Sequence, residues 1–106
     1  MNYIYRVQDS NGNGCYRELG SRYWAEQDHD DEDHPMPSED GIDIDDYKDL
    51  PDDHRFGFRT KDQAMRWFNE RELENLAEHG YYLKRVRGKV IMDGFKQCVF
   101  VPERFL

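Results

Sequence analysis

Val90-Ile91-Met92-Asp93-Gly94-Phe95-Lys96-Gln97-Cys98-Val99-Phe100-Val101 is the stretch that decides the fold. Two apolar, β-prone runs flank Asp93-Gly94, and Asp-Gly readily takes the two positive-φ positions of a type I′ turn. An antiparallel hairpin with its tip at Asp93-Gly94 is therefore predicted. Just upstream, Tyr81 to Val86 reads as a further strand, and Arg87-Gly88-Lys89 as a bend or turn before the hairpin. Further back, Thr60 followed by Gln63 makes a capping box, and so does Asn69 followed by Glu72. Two apolar sets, Ala64-Trp67-Phe68 and Leu73-Leu76-Ala77, share one internal spacing but are displaced by nine residues. Nine steps of about 100° turn a helical face through roughly 180°. One straight helix would point the sets in opposite directions, so the helix is predicted to break near Asn69. Two short helices result, about 61–68 and 70–79, with Gly80 as terminator.

Toward the N-terminus, Tyr3 to Gln8 alternates as a strand, with Tyr3, Tyr5 and Val7 on one face and Ile4 and Arg6 on the other. Asp9-Ser10-Asn11-Gly12-Asn13-Gly14 is turn chemistry, after which Cys15-Tyr16-Arg17 is a candidate returning strand. Arg55-Phe56-Gly57-Phe58-Arg59 is short, aromatic and extended in its reading. The order is strands, then an acidic segment, then helices, then strands. That order predicts an α+β fold: an antiparallel sheet covered on one face by a broken pair of short helices. The aromatics Phe56, Phe58, Trp67, Phe68, Phe95 and Phe100 are assigned to the core.

The chain has 106 residues, enough for one domain. It is 37% hydrophobic and 36% charged, with a mean hydropathy of -1.10 and a pI near 4.9. No apolar run approaches the ~20 residues needed to span a bilayer. The N-terminus has no apolar signal core, so a cytoplasmic setting is expected. Cys15 and Cys98 are expected to be reduced and half-buried, with no Cys-x-x-Cys pair for zinc or redox chemistry.

Charge is strongly segregated. Residues 26–53 hold fourteen acids and a single base, Lys48, a formal -13 against +5 for the remainder. The chain is thus a mildly basic frame carrying an intensely acidic insert. Duplex DNA presents one charge per ~1.7 Å of axis, and a rigid carboxylate array can imitate it. Asp28, Asp30 and Asp31 are candidates for one edge of such an array. Asp43, Asp45, Asp46 and Asp49 are candidates for another, with Tyr23 and Trp24 as aromatic anchors beside it. The competing reading is a solvated loop that keeps the protein soluble. Ile42, Ile44, Tyr47 and Leu50 are interleaved with the acids, and the last three are expected to anchor the insert on the core.

Other chemistry is weakly supported. His29 and His34 lie among acids, but the spacing matches no organised metal site. An EF-hand register from Asp43 puts Lys48 where glycine belongs and His54 where glutamate belongs. No serine or threonine has a nucleophile-elbow context. No cofactor is expected. Arg85, Arg87 and Lys89 alternate along a strand and its bend and, with Arg59 and Lys61, are candidates for a small anion-binding strip; the favoured reading is that they answer the acidic insert across the fold.

Several short words resemble a recurring pattern. They are Gly14-Cys15-Tyr16-Arg17, His34-Pro35-Met36-Pro37 with Asp40, Phe56-Gly57-Phe58, Trp67-Phe68, His79-Gly80-Tyr81 and Gln97-Cys98-Val99-Phe100. The pattern is similar to a family of small phage and prophage proteins. The resemblance brings no assigned activity; it implies a virus-encoded protein in a bacterial cytoplasm, and an anti-defence, anti-CRISPR-like role. The partner then expected is a host protein with a basic nucleic-acid-binding surface, with no direct nucleic-acid or membrane contact. An alternative is an enzyme: the outline also looks like a reduced ADP-ribosyltransferase, with Arg6 or Arg17 holding a dinucleotide and Glu103 as the late acid. A phage structural or accessory protein is the further alternative.

Overall fold

The structure is a computed structural model and describes residues 1–15, 34–44 and 50–106. Four strands, β1 (Asn2–Gln8), β2 (Arg55–Gly57), β3 (Tyr82–Asp93) and β4 (Cys98–Pro102), form one antiparallel sheet in the order β1-β3-β4-β2. Two helices, α1 (Lys61–Trp67) and α2 (Glu70–Glu78), follow β2. The α+β architecture read from the sequence is the one observed.

The sheet curls until its two outer strands meet. Tyr5 N–H donates to the Phe58 carbonyl and Phe58 N–H to the Tyr5 carbonyl, both at 2.8 Å. Side chains alternate across a strand, so one face of the curled sheet becomes an interior. Ile4, Cys98 and Phe100 are fully buried there, with Val86 and Val90 packed against them. Four strands enclose very little space, since even eight give an interior only just wide enough for side chains. The sequence meets this limit with two glycines that face Phe100. A Cβ on Gly57 would lie 2.5 Å from Ile4 Cγ2 and 2.9 Å from Phe100 Cε1. One on Gly88 would lie 2.6 Å from Phe100 Cδ2.

The outer face packs under the helices. Val7, Phe58, Ala64, Phe68, Leu76 and Tyr81 form this second core, with Trp67 and Leu73 against it. Both capping boxes exist as predicted. Thr60 accepts from Gln63 N–H, Asn69 accepts from Glu72 N–H, and each N3 side chain reaches back to its cap. Phe68 between the helices is extended (φ -115°, ψ 116°), which re-aims α2 so that both apolar sets reach one core. α2 ends in a Schellman motif: Tyr81 N–H donates to the Leu76 carbonyl, Gly80 N–H to the Ala77 carbonyl, and Gly80 has φ +86°.

Four local expectations are corrected. Arg87-Gly88-Lys89 does not bend the chain; β3 runs straight through it, and the irregularity is a bulge between Val90 and Met92. The hairpin tip is not Asp93-Gly94. Asp93 pairs with Cys98, Gly94 N–H donates to the Gln97 carbonyl, and Phe95-Lys96 form the tip, with no positive φ at any of these residues. Phe95 is therefore 82% exposed rather than core. Cys15 is not in a strand; Gly14 makes only an isolated bridge to Gln8, while residues 16 and 17 lie outside the described part.

Candidate functional site

The acidic insert meets the frame through residues 34–44. Pro37–Asp40 is a single 3-10 turn, closed by the Pro-rich approach before it and by Gly41 after it. His34 Nε2–H donates to the Trp67 carbonyl at the end of α1, and its ring stands edge-on to Trp67 at 5.0 Å. The Gln97 side chain donates to the Pro35 carbonyl, and Ile42 is 2% exposed.

The centre of this contact is Asp40. One of its oxygens accepts from Phe95 N–H (3.1 Å) and Lys96 N–H (2.9 Å), the other from Gln97 N–H (3.0 Å). Its own carbonyl accepts a second time from Phe95 N–H at 3.0 Å. Two-residue hairpins favour primed turns because these match the strand twist. Here the tip keeps negative φ, and an external carboxylate collects the three amides that the tip turns inward. The approach is so close that a Cβ on Gly94 would sit 2.2 Å from Asp40 Oδ2. Gly94 is required for this contact, not for a turn at positive φ.

Asp40 is 2% exposed, so one of the fourteen insert acids is structural. Counting charge alone hides it. The available signal is its setting, an acid before Gly41 with Pro37 and Ile42 beside it. Of the predicted partner-binding residues, Asp43 is described and is exposed, three positions beyond the clamp. Tyr23, Trp24, Asp28, Asp30, Asp31, Asp45, Asp46 and Asp49 lie outside the described residues, as do His29, Arg17 and Tyr47. Ile42, rather than the expected Ile44 or Leu50, is the buried anchor; those two are half-buried.

The basic residues have other partners among the described residues. Arg59 makes a two-pronged pair with Asp93 (2.7 and 2.6 Å), which raises the Arg59 pKa and holds the Asp93 carboxyl below its usual value. The guanidinium of Arg85 lies over the Tyr3 ring at 4.4 Å, and that of Arg87 at 5.9 Å. Arg87 also stands 3.7 Å from Glu103. Arg6 projects to the interior side of the sheet and donates to the Phe56 carbonyl at 2.6 Å. Burial, and then the neighbouring Arg55 charge, lower its pKa to about 10. Its Nε–H is buried without a hydrogen-bond partner among the described residues.

Neither Cys15 nor Cys98 is in a disulfide, and both are buried more deeply than the half-burial expected. Burial pushes the Cys98 thiol up to about 12. The thiolate is the reactive form, so Cys98 should stay unmodified by Ellman's reagent at pH 8 until denaturant is added. Prompt reaction of Cys98 in the native protein would contradict the closed interior. Among the described residues, no group of three or more His, Cys, Asp or Glu side chains converges on a metal-sized point, and no helix is long and apolar enough to cross a membrane.

These features define a small α+β protein in which a curled sheet carries an acidic insert clamped at a hairpin tip. The chain belongs to the family described as Bacteriophage T4 Y00F protein, which matches residues 1–105. It is a phage protein, as the short sequence words implied. No curated protein and no solved structure matches it.

Proposed function

We propose that this phage protein acts by binding, presenting its acidic insert to a basic, nucleic-acid-handling surface of a host defence protein in the bacterial cytoplasm. The observation that carries the reading is the Asp40 clamp. A carboxylate array imitates a phosphate backbone only when something holds it in place, and the clamp with buried Ile42 ties the middle of the insert to a rigid hairpin. Asp43 leaves that clamp facing solvent. In this reading Asp28, Asp30, Asp31, Asp43, Asp45, Asp46 and Asp49 supply charge, which steers association and selects the partner. Tyr23 and Trp24 supply the buried aromatic contacts that slow dissociation. Family membership supports the setting, because a phage protein meets host nucleic-acid enzymes in the cell it infects.

The test is capture of a host protein at low salt, followed by purified binding measurements. Association should weaken steeply between 50 and 200 mM salt, by roughly tenfold or more, as charge-steered encounters do. The combined change Asp43→Asn, Asp45→Asn, Asp46→Asn and Asp49→Asn should abolish capture and leave the circular dichroism spectrum and melting temperature in place. Retained binding by that variant would remove the basis of the proposal.

A further inference from the structure

Phe95 is the most exposed large apolar side chain among the described residues, at 82%. It stands at the tip of the β3–β4 hairpin, and the tip does not need it. Hairpin turns favour Gly, Asn and Asp, which take positive φ or bond their own backbone, and a phenylalanine does neither. A side chain this exposed also contributes little to the stability of the chain that bears it. The backbone beneath the ring is nevertheless held firmly. Phe95 N–H donates both to the Asp40 side chain (3.1 Å) and to the Asp40 carbonyl (3.0 Å). The Phe95 carbonyl accepts from the Gln63 side chain on α1 at 3.3 Å. The residue is thus bonded to two other segments of the chain.

The ring lies against the acidic insert. A Cβ on Gly41 would come 3.2 Å from Phe95 Cε2, so the bare backbone of Gly41 runs beside the edge of the ring. Glu39 and Asp43, two residues to either side of Gly41, are both exposed. Asp40 between them is buried and engaged by the hairpin amides. The result is an apolar knob beside two solvent-exposed acids. Charge steers an encounter and selects a partner, whereas a buried aromatic holds the complex together once formed. Ordering a loop on binding costs free energy, and a ring whose backbone is already fixed avoids most of that cost.

We propose that Phe95 is an aromatic anchor for the host protein, and that the surface it enters is an apolar pocket edged by lysine or arginine side chains. This rests on the reading that the acidic insert binds such a protein, and it extends that contact from the insert to the hairpin tip. The pocket takes the ring, and its basic edge meets Glu39 and Asp43. The same acids disfavour the other occupants. A nucleic acid would set its phosphates against carboxylates. A second copy, docked ring to ring about a two-fold axis, would place the same patch against itself and bring the two Glu39 and Asp43 pairs together.

The probe is the photo-crosslinking analogue p-benzoylphenylalanine, placed at position 95 of the full chain, expressed in bacteria during infection and irradiated. The same analogue at Glu74, an exposed position on α2, is the control. An adduct with a host protein, specific to position 95, is expected. That host protein is then purified and its binding followed in real time. Phe95→Ala should bind about tenfold more weakly or worse through faster dissociation. Its association rate and salt dependence should match the parent's, because the lost side chain is uncharged. Its melting temperature should stay within about 3 °C of the parent. Should Phe95→Ala lose its fold, Phe95→Leu, which keeps bulk and lacks the ring, must show the faster dissociation. Parent-like dissociation overturns the inference, and so does an adduct formed only with a second copy, only with nucleic acid, equally from position 74, or not at all. The two readings fail separately. Binding lost in the fourfold Asp→Asn variant but unchanged in Phe95→Ala removes the anchor alone, and the reverse removes the role of the insert alone.

Discussion

Replacing Asp40 by asparagine should lower the melting temperature by roughly 12–24 °C. The buried carboxylate accepts from three consecutive amides of the hairpin tip. Asparagine keeps one acceptor oxygen and turns an amide donor toward the other N–H groups. About two charge-assisted hydrogen bonds are lost, each contributing roughly 1.5–3 kcal/mol, so a destabilisation of about 3 kcal/mol is expected. For a domain of this size each kcal/mol moves the midpoint by about 4–8 °C. Asp43→Asn, three residues away and exposed, should change stability by no more than about 0.5 kcal/mol. The paired measurement separates a structural acid from a solvated one. A melting temperature for Asp40→Asn within about 3 °C of the parent would show that the tip does not depend on the clamp. The same variant bears on function: with the clamp gone, partner binding should fall even though every proposed binding aspartate remains.

Phe100→Ala should cost about 3–5 kcal/mol, measured by urea unfolding. Phe100 has no exposed surface and fills an interior that four strands can barely enclose. Against a total stability of about 5–15 kcal/mol, that loss leaves a protein close to its folding threshold. Gly88→Ala should cost about 1–3 kcal/mol by overpacking, since its Cβ would enter the Phe100 ring. The two changes should not add. In the Phe100→Ala background the new methyl meets space where the ring stood, so the double variant should be less destabilised than the sum by about 1 kcal/mol. The clash with the Val101 carbonyl remains, which limits the rescue. Strict additivity would mean that Gly88 and Phe100 do not share the interior.

The fold was legible wherever its causes are local. Thr60 with Gln63 and Asn69 with Glu72 each place a donor and an acceptor three residues apart, and no other part of the chain is needed to complete them. The nine-residue displacement between the two apolar sets required a break, and the extended Phe68 is that break. The family setting was carried by short words spread along the chain, and the family match spans nearly all of it. The site was much less legible. Asp40 is one of fourteen acids in its segment, and nothing in its neighbours by itself points to amides 55 to 57 positions away. The Asp93-Gly94 reading failed for a related reason. The dipeptide is an intrinsic turn former, but the Asp40 contact placed the turn two residues later and required Gly94 for room instead.

Sequence alone determined the alternation of the strands, the two capped helices and their terminator, and the separation of an acidic insert from a basic frame. These follow from contacts between residues within about one helical turn or from simple composition. Only the tertiary structure decided that the sheet closes on itself, that Gly57 and Gly88 make room for Phe100, and that Asp40 is a clamp. Each of those depends on which distant atoms come within a few ångströms. That proximity is set by the curl of the whole sheet, which no single stretch of the chain encodes.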